Sequence, residues 1–181
     1  MTTATQENTT IGLGSFLKDC ATYNAWVSQT IVSWLKDKPA ALFTKEVTSS
    51  FPSLRETLIH IWDTERFWYS VISKTPAPES FRMTGFDGSL EEIMTGFEQQ
   101  SKTIDKYIGS LTEQELTEEV YFYTPWVEGT QTRFEFLYHC ITHSAYHRGQ
   151  LVTIGRQVGI TDAPMTDYNF YLLMVKGKAV L

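Results

Sequence analysis

Apolar residues recur at spacings of three and four in four long stretches of the chain, the period of a helix with one buried face. The first stretch runs from Ser15 to about Lys36 through Phe16, Leu17, Tyr23, Trp26, Val27, Ile31 and Leu35, and Lys38-Pro39 ends it. The second opens on Ser53-Leu54-Arg55-Glu56. Here a serine can accept from a free helix-end N–H, and a glutamate three residues on can accept from the serine's own N–H. It continues through Leu58, Ile59, Ile61, Trp62, Phe67, Trp68 and Val71, and Pro76 and Pro78 close it. Ser89-Leu90-Glu91-Glu92 repeats the signature before a third helix with Ile93, Met94, Phe97, Ile104, Tyr107 and Ile108 on its inner stripe. Thr132-Arg133-Phe134-Glu135 repeats it again before a fourth, which runs to about Gln157 with Gly159 as its stop.

The connections are less regular. Residues between Pro39 and Pro52 read as a loop, with a short extended piece around Phe43 to Val47. Residues 74–88 are a Pro/Gly/Ser-containing crossing. From Glu118 to Phe134 the pattern alternates loosely, which predicts a small β-hairpin turning at Glu128-Gly129. Thr166 to about Val175 predicts a short last helix packing Phe170, Leu172 and Leu173. These elements define an all-α four-helix bundle with a small hairpin and a C-terminal helix. Residues 1–12, polar and Thr-rich, read as a flexible arm, and 13–181 as a single domain without internal repeats.

Composition narrows the function. A chain of 181 residues can bury a sizeable core, and its net charge of −6 offers no basic face for a phosphate backbone. Nucleic acid is therefore not an expected partner. Two cysteines, Cys20 and Cys140, are too few for a disulfide scaffold and read as reduced thiols. There is no signal-peptide pattern and no apolar run of membrane-spanning length, so the expected location is cytoplasmic, with no membrane partner.

The four histidines carry the chemistry. His139, His143 and His147 follow one another at intervals of four on the fourth helix, and His60 lies on the second. Four residues turn a helix through about 400°, so neighbours in the series share a face. His139 and His147 lie about 12 Å apart along the axis, too far to share an ion about 2.0–2.1 Å from each ring nitrogen. One adjacent pair can bind, either His139/His143 or His143/His147, with His60 supplying a third ligand. Three histidines leave coordination positions open, in the manner of catalytic rather than closed structural sites. Asp63 and Thr64 lie near His60 on their helix, and Gln150 lies near His143. Asp63 is thus a candidate proton acceptor, and Gln150 a candidate for orienting a ligand. Cys140 projects to the same side, but its rise makes it a poor partner for His147. Isolated helix histidines are usually core or surface residues, and Trp26, Trp62, Phe67 and Trp68 read as core.

Two segments, Leu58-Ile59-His60-Ile61-Trp62-Asp63-Thr64-Glu65-Arg66-Phe67-Trp68 and Leu137 through His143-Ser144-Ala145-Tyr146-His147-Arg148-Gly149-Gln150, together resemble the DinB/YfiT-like family of metal-dependent bundle proteins. Tyr23-Asn24-Ala25-Trp26 and Asp167-Tyr168 support the resemblance. It implies an up-up-down-down four-helix bundle, often dimeric, holding a divalent ion on His60, His143 and His147, with His139 a frequent feature that is not a ligand. By ligand type the expected ion is Zn or Ni in the first place, with Fe or Mn as alternatives. The resemblance further implies a thiol-dependent transferase or a hydrolase acting on a small-molecule substrate, in some members with a low-molecular-weight thiol. The alternative is a non-catalytic dimeric protein in which the metal serves structure.

Overall fold

The computed structural model describes residues 12–125 and 127–177. All but Gly12 of the segment read as a flexible arm lies outside the described residues. Four long helices dominate: α1 (Leu13–Leu35), α2 (Leu54–Ser73), α4 (Leu90–Ser110) and α6 (Arg133–Gln157). Two single-turn helices, α3 (Phe81–Thr84) and α5 (Glu113–Leu116), sit in the connections. Strands β1 (Glu119–Tyr123) and β2 (Glu128–Thr132) form an antiparallel hairpin. A last turn, α7 (Tyr168–Phe170), continues as a wider π-type coil over Tyr171–Lys176.

The four-helix bundle is as expected, but its chain directions are not up-up-down-down. One end of the core joins Val27, Ile31 and Leu35 from the C-terminal part of α1 with Leu54 and Leu58 from the start of α2. Ile93 and Phe97 from the start of α4 and Leu151 and Ile154 from the end of α6 complete that end. The other end joins Leu17, Ile72, Ile108 and Phe136, from the opposite end of each helix. The order is therefore up-down-down-up. α2 and α4 run parallel, so the chain between them must travel back along roughly 30 Å of helix, which residues 74–89 do. α1 packs on α4 and α6, and α2 packs on the same two, so α1 and α2 face each other across the bundle.

The helix starts behave largely as their signatures dictate. Ser53 Oγ accepts from Glu56 N at 3.2 Å and Ser89 Oγ from Glu92 N at 3.1 Å. The Glu135 carboxylate accepts from Thr132 N at 2.9 Å at the head of α6. Thr112 and Glu115 form a further such pair at α5. α1 has no side-chain cap of its own; Glu113 of α5 supplies one, accepting from Gly14 N at 3.1 Å. α2 ends before the prolines, at Lys74, whose φ of 56° is left-handed and closes the helix as a glycine usually would.

Three local expectations change. The piece around Phe43–Val47 is not extended; a 3₁₀ turn at Ala40–Leu42 leads into a loop that packs Phe43 into the core. The first strand ends at Tyr123 and Glu128-Gly129 belongs to β2, where Gly129 pairs with Phe122. In the C-terminal segment Tyr171 is the buried anchor, packed on Tyr23 and Trp26, while Leu173 is exposed.

Candidate metal centre

α2 and α6 pack against each other along their length, and this contact brings His60 to the later histidine pair. His147 Nε2 lies 3.1 Å from His60 Nε2 and 3.2 Å from His143 Nε2. The three residues offer ring nitrogens that all lie within 4.8 Å of one another, the one such set of metal-ligand residue types among the described residues. Of the two pairs that spacing left open, the structure joins His143/His147 to His60. His139 is exposed and stands beside Trp68, ring centroids 4.7 Å apart.

The spacing of these nitrogens suits a shared ion. Ligands 2.0–2.1 Å from a metal stand about 2.9 Å apart at a right angle and about 3.4 Å apart at the tetrahedral angle. The observed 3.1 and 3.2 Å fall between these values. Hydrogen bonding alone serves the cluster poorly. Gln150 Nε2 donates to Ser50 Oγ at 2.8 Å, which turns Gln150 Oε1 towards His147 Nδ1 at 2.7 Å. An oxygen can only accept there, so His147 carries its proton on Nδ1 and presents a lone pair at Nε2. His60 and His143 would both have to donate into that one lone pair. A cation at the centre engages all three instead.

The surroundings keep the rings uncharged. Burial, and then the neighbouring His147, bring both His60 and His143 down to about 4, while burial lowers His147. Neutral imidazole is the form that ligates metal. Phe51 stacks on His60 with centroids 4.0 Å apart and meets His147 edge-on at 5.5 Å, so it shields one side of the cluster from water.

These shifts predict a pH dependence for the metal-free fold. Between the ordinary histidine value of 6.5 and about 4 the unfolded chain binds protons that folded His60 and His143 refuse. Stability is therefore full above about 6.5 and is lost progressively as pH falls towards about 4. Urea unfolding across this range should show the loss, and His143→Gln should flatten it. An unchanged slope in the variant would refute the assignment.

The other residues singled out by sequence fall into place around this cluster. Gln150, which lies near His143 on the helix, bonds instead to the ring of His147. Its replacement by alanine should weaken metal binding about 10–100-fold, the usual cost of losing a group that orients a ligand. Competition against a chelator measures this, with Gln150→Glu restoring the acceptor. Asp63 is engaged elsewhere: its carboxylate accepts from Ser80 Oγ at 2.7 Å, Phe81 N at 3.1 Å and Arg66 at 3.0 Å, capping α3. Cys140 is buried in the core, which pushes its thiol well up and keeps it protonated.

Sequence reasoning passed over a buried polar cluster just behind the histidines. Glu65, fully buried, accepts from Asn24 Nδ2 and Ser144 Oγ at 2.9 Å and from Ser101 Oγ at 2.7 Å. Arg148, also buried, donates to Asn24 Oδ1 at 2.5 Å. α1, α2, α4 and α6 each contribute, so the cluster locks the four long helices in register beside the histidines. A signal was present: Glu65 continues the stripe Leu54, Leu58, Ile61, and Arg148 lies between Ile141 and Leu151 on the stripe of α6. A charge on a core-facing stripe calls for a buried partner.

A four-helix bundle with three histidines converging from two helices defines the class: a helical-bundle protein with a metal-type site in its core. The model of the DinB family matches residues 6–176, and the chain belongs to that family. It is 32% identical over 162 residues to Protein DinB of Bacillus subtilis (strain 168), covering 85% of this chain and 92% of that protein. Its fold is similar to that of YfiT from Bacillus subtilis, described as a probable metal-dependent hydrolase with an unusual four-helix bundle topology. The TM-score is 0.65 at 11% identity, over 85% of this chain and 93% of that one. It is also similar to a DinB-like protein, YjoA, from Bacillus subtilis, with a TM-score of 0.57 at 15% identity over 85% and 96% of the two chains. No described helix is long and apolar enough to cross a membrane.

Proposed function

We propose that this chain is a metal-dependent enzyme in which His60, His143 and His147 hold one divalent ion that activates a small nucleophile for attack on a small-molecule substrate. The observation that carries this reading is the convergence of three neutral ring nitrogens, which neither tautomer choice nor hydrogen bonding can satisfy among themselves. An ion on three histidines keeps positions open, lowers the pKa of a bound water or thiol, and polarises a carbonyl. Imidazole donors suit Zn or Ni, and Fe or Mn follow as alternatives. The hydrolytic form of the reaction is favoured by the fold's likeness to YfiT, described as a probable metal-dependent hydrolase. A low-molecular-weight thiol in place of water would make the same centre a transferase.

The protein's own part is positional. Gln150 fixes the ring of His147, Phe51 packs over His60, and the Glu65–Asn24–Arg148 cluster holds α2 and α6 in register. The test is metal analysis of protein purified without chelator, followed by ester turnover with and without added thiol. About one ion per chain is expected, the figure for a single three-ligand site, with turnover that chelator abolishes and the same ion restores. Protein that neither carries nor takes up an ion overturns the proposal. An ion without turnover makes the metal structural.

A further inference from the structure

One cavity lies beside the histidines and has no part in the reading above. Among the described residues, Trp68 of α2, Phe136 and His139 of α6, and Phe122, Glu128 and Gly129 of the hairpin contribute to its wall. Its volume is about 590 Å³, within the roughly 300–1,000 Å³ typical of small-ligand sites. His139 joins it to the metal centre, standing 4.7 Å from Trp68 on one side and 5.9 Å from His143 on the other, between ring centroids.

The wall is aromatic, and the strand residue opposite its Phe122 brings no side chain to it. Trp68 stacks on Phe136 at 5.4 Å, while Phe122 meets Phe136 edge-on at 5.0 Å and lies tilted against Trp68 at 5.5 Å. Directly across the hairpin from Phe122, where a side chain would cover that ring, stands Gly129. A Cβ at that position would come 3.7 Å from the Phe122 ring, an ordinary contact, so the space there is open and can be filled. Glycine inside a strand forfeits packing and often marks the close approach of a ligand. No lysine or arginine lies in the described wall, and the carboxylate of Glu128 turns to the other face of the hairpin, where it accepts from Tyr121 at 2.7 Å.

We infer that this cavity binds an uncharged planar aromatic group, the non-reacting part of the substrate whose reacting part lies at the histidine cluster. Ring faces and edges of Trp68, Phe122 and Phe136 are the surfaces against which another ring packs. An anionic group would leave water for an aromatic wall whose described residues include no lysine or arginine to balance it. The use of the cavity for catalysis rests on the proposed metal-dependent reading; its binding chemistry does not.

The experiment is therefore a titration of the metal-free full chain with 2-naphthol, with 2-naphthoate as the charged counterpart, followed by amide chemical shifts. Saturable shifts at Phe122, Gly129 and His139 are expected, with at least about tenfold weaker binding of naphthoate. Gly129→Val, which fills the cavity from its outer wall, should weaken naphthol binding by about tenfold or more, and Phe122→Ala should do the same by removing a wall. Both variants should keep the wild-type metal uptake, so a failed cavity and a failed metal centre give different results. Shifts confined to other residues, equal affinity for naphthoate, or wild-type affinity in Gly129→Val would overturn the inference.

Discussion

Replacing His147 by alanine is expected to abolish stoichiometric metal binding, with affinity falling by well over the roughly 100-fold that loss of an orienting group can cost. His147 is the hub of the cluster. Its Nε2 is the atom that both His60 and His143 approach, and its ring is the one that Gln150 orients. Without it, His60 and His143 remain on separate helices with nothing between them to complete the set. His139→Ala is the matched control, because it removes a histidine from the same helix outside the group of three. That control should stay within about threefold of wild type, less than the 10–100-fold expected for a group that orients a ligand. Metal competition against a chelator reads both variants. Equal losses in the two would mean that the cluster is not the binding site.

Glu65→Gln should be the most damaging single change to stability. Arg148 is 3% exposed, and burial pulls its guanidinium pKa down while Glu65, the largest opposing influence, holds it up. Asn24 bridges the two groups, so removing the carboxylate charge leaves that guanidinium in the core without its nearby countercharge, a loss of about 3 kcal/mol, the lower figure for buried pairs broken on one side. For a chain of this size the melting temperature should fall by about 10 °C. The denaturant midpoint should drop with an unchanged slope, since the folded state buries the same surface. The paired variant Glu65→Leu with Arg148→Met should recover most of the loss, because neither charge then remains to be solvated. A Glu65→Gln protein as stable as wild type would show that Asn24 satisfies Arg148 without the carboxylate charge.

The contrast between these two predictions follows how legible each feature is in sequence. The histidine spacing of four states a face directly, because helix geometry converts it into an angle. It left two pairs open and could not say which turn of α6 lies level with His60. The resemblance to the DinB family favoured the later pair. In the structure, α2 and α6 pack antiparallel, and the depth at which Leu58 and Leu151 meet in one end of the core places His60 opposite His147. Asp63 lies at a small angle from His60 around the helix, yet Ser80 and the Phe81 amide, from a crossing without periodicity, claim its carboxylate. The Glu128-Gly129 pair resembled a turn by residue type, but Phe122 needs a partner across the hairpin, and pairing put Gly129 there.

By itself the sequence determined the four helices, most of their starting points, and the confinement of all four histidines to two of them. Each of these depends on residues close in the chain, where period and capping chemistry act directly. Only the tertiary structure decided the up-down-down-up directions, the Glu65–Asn24–Arg148 cluster and the aromatic cavity behind the hairpin. Those arise from contacts between residues tens of positions apart, set by how whole helix faces pack, and no local pattern encodes which faces will meet.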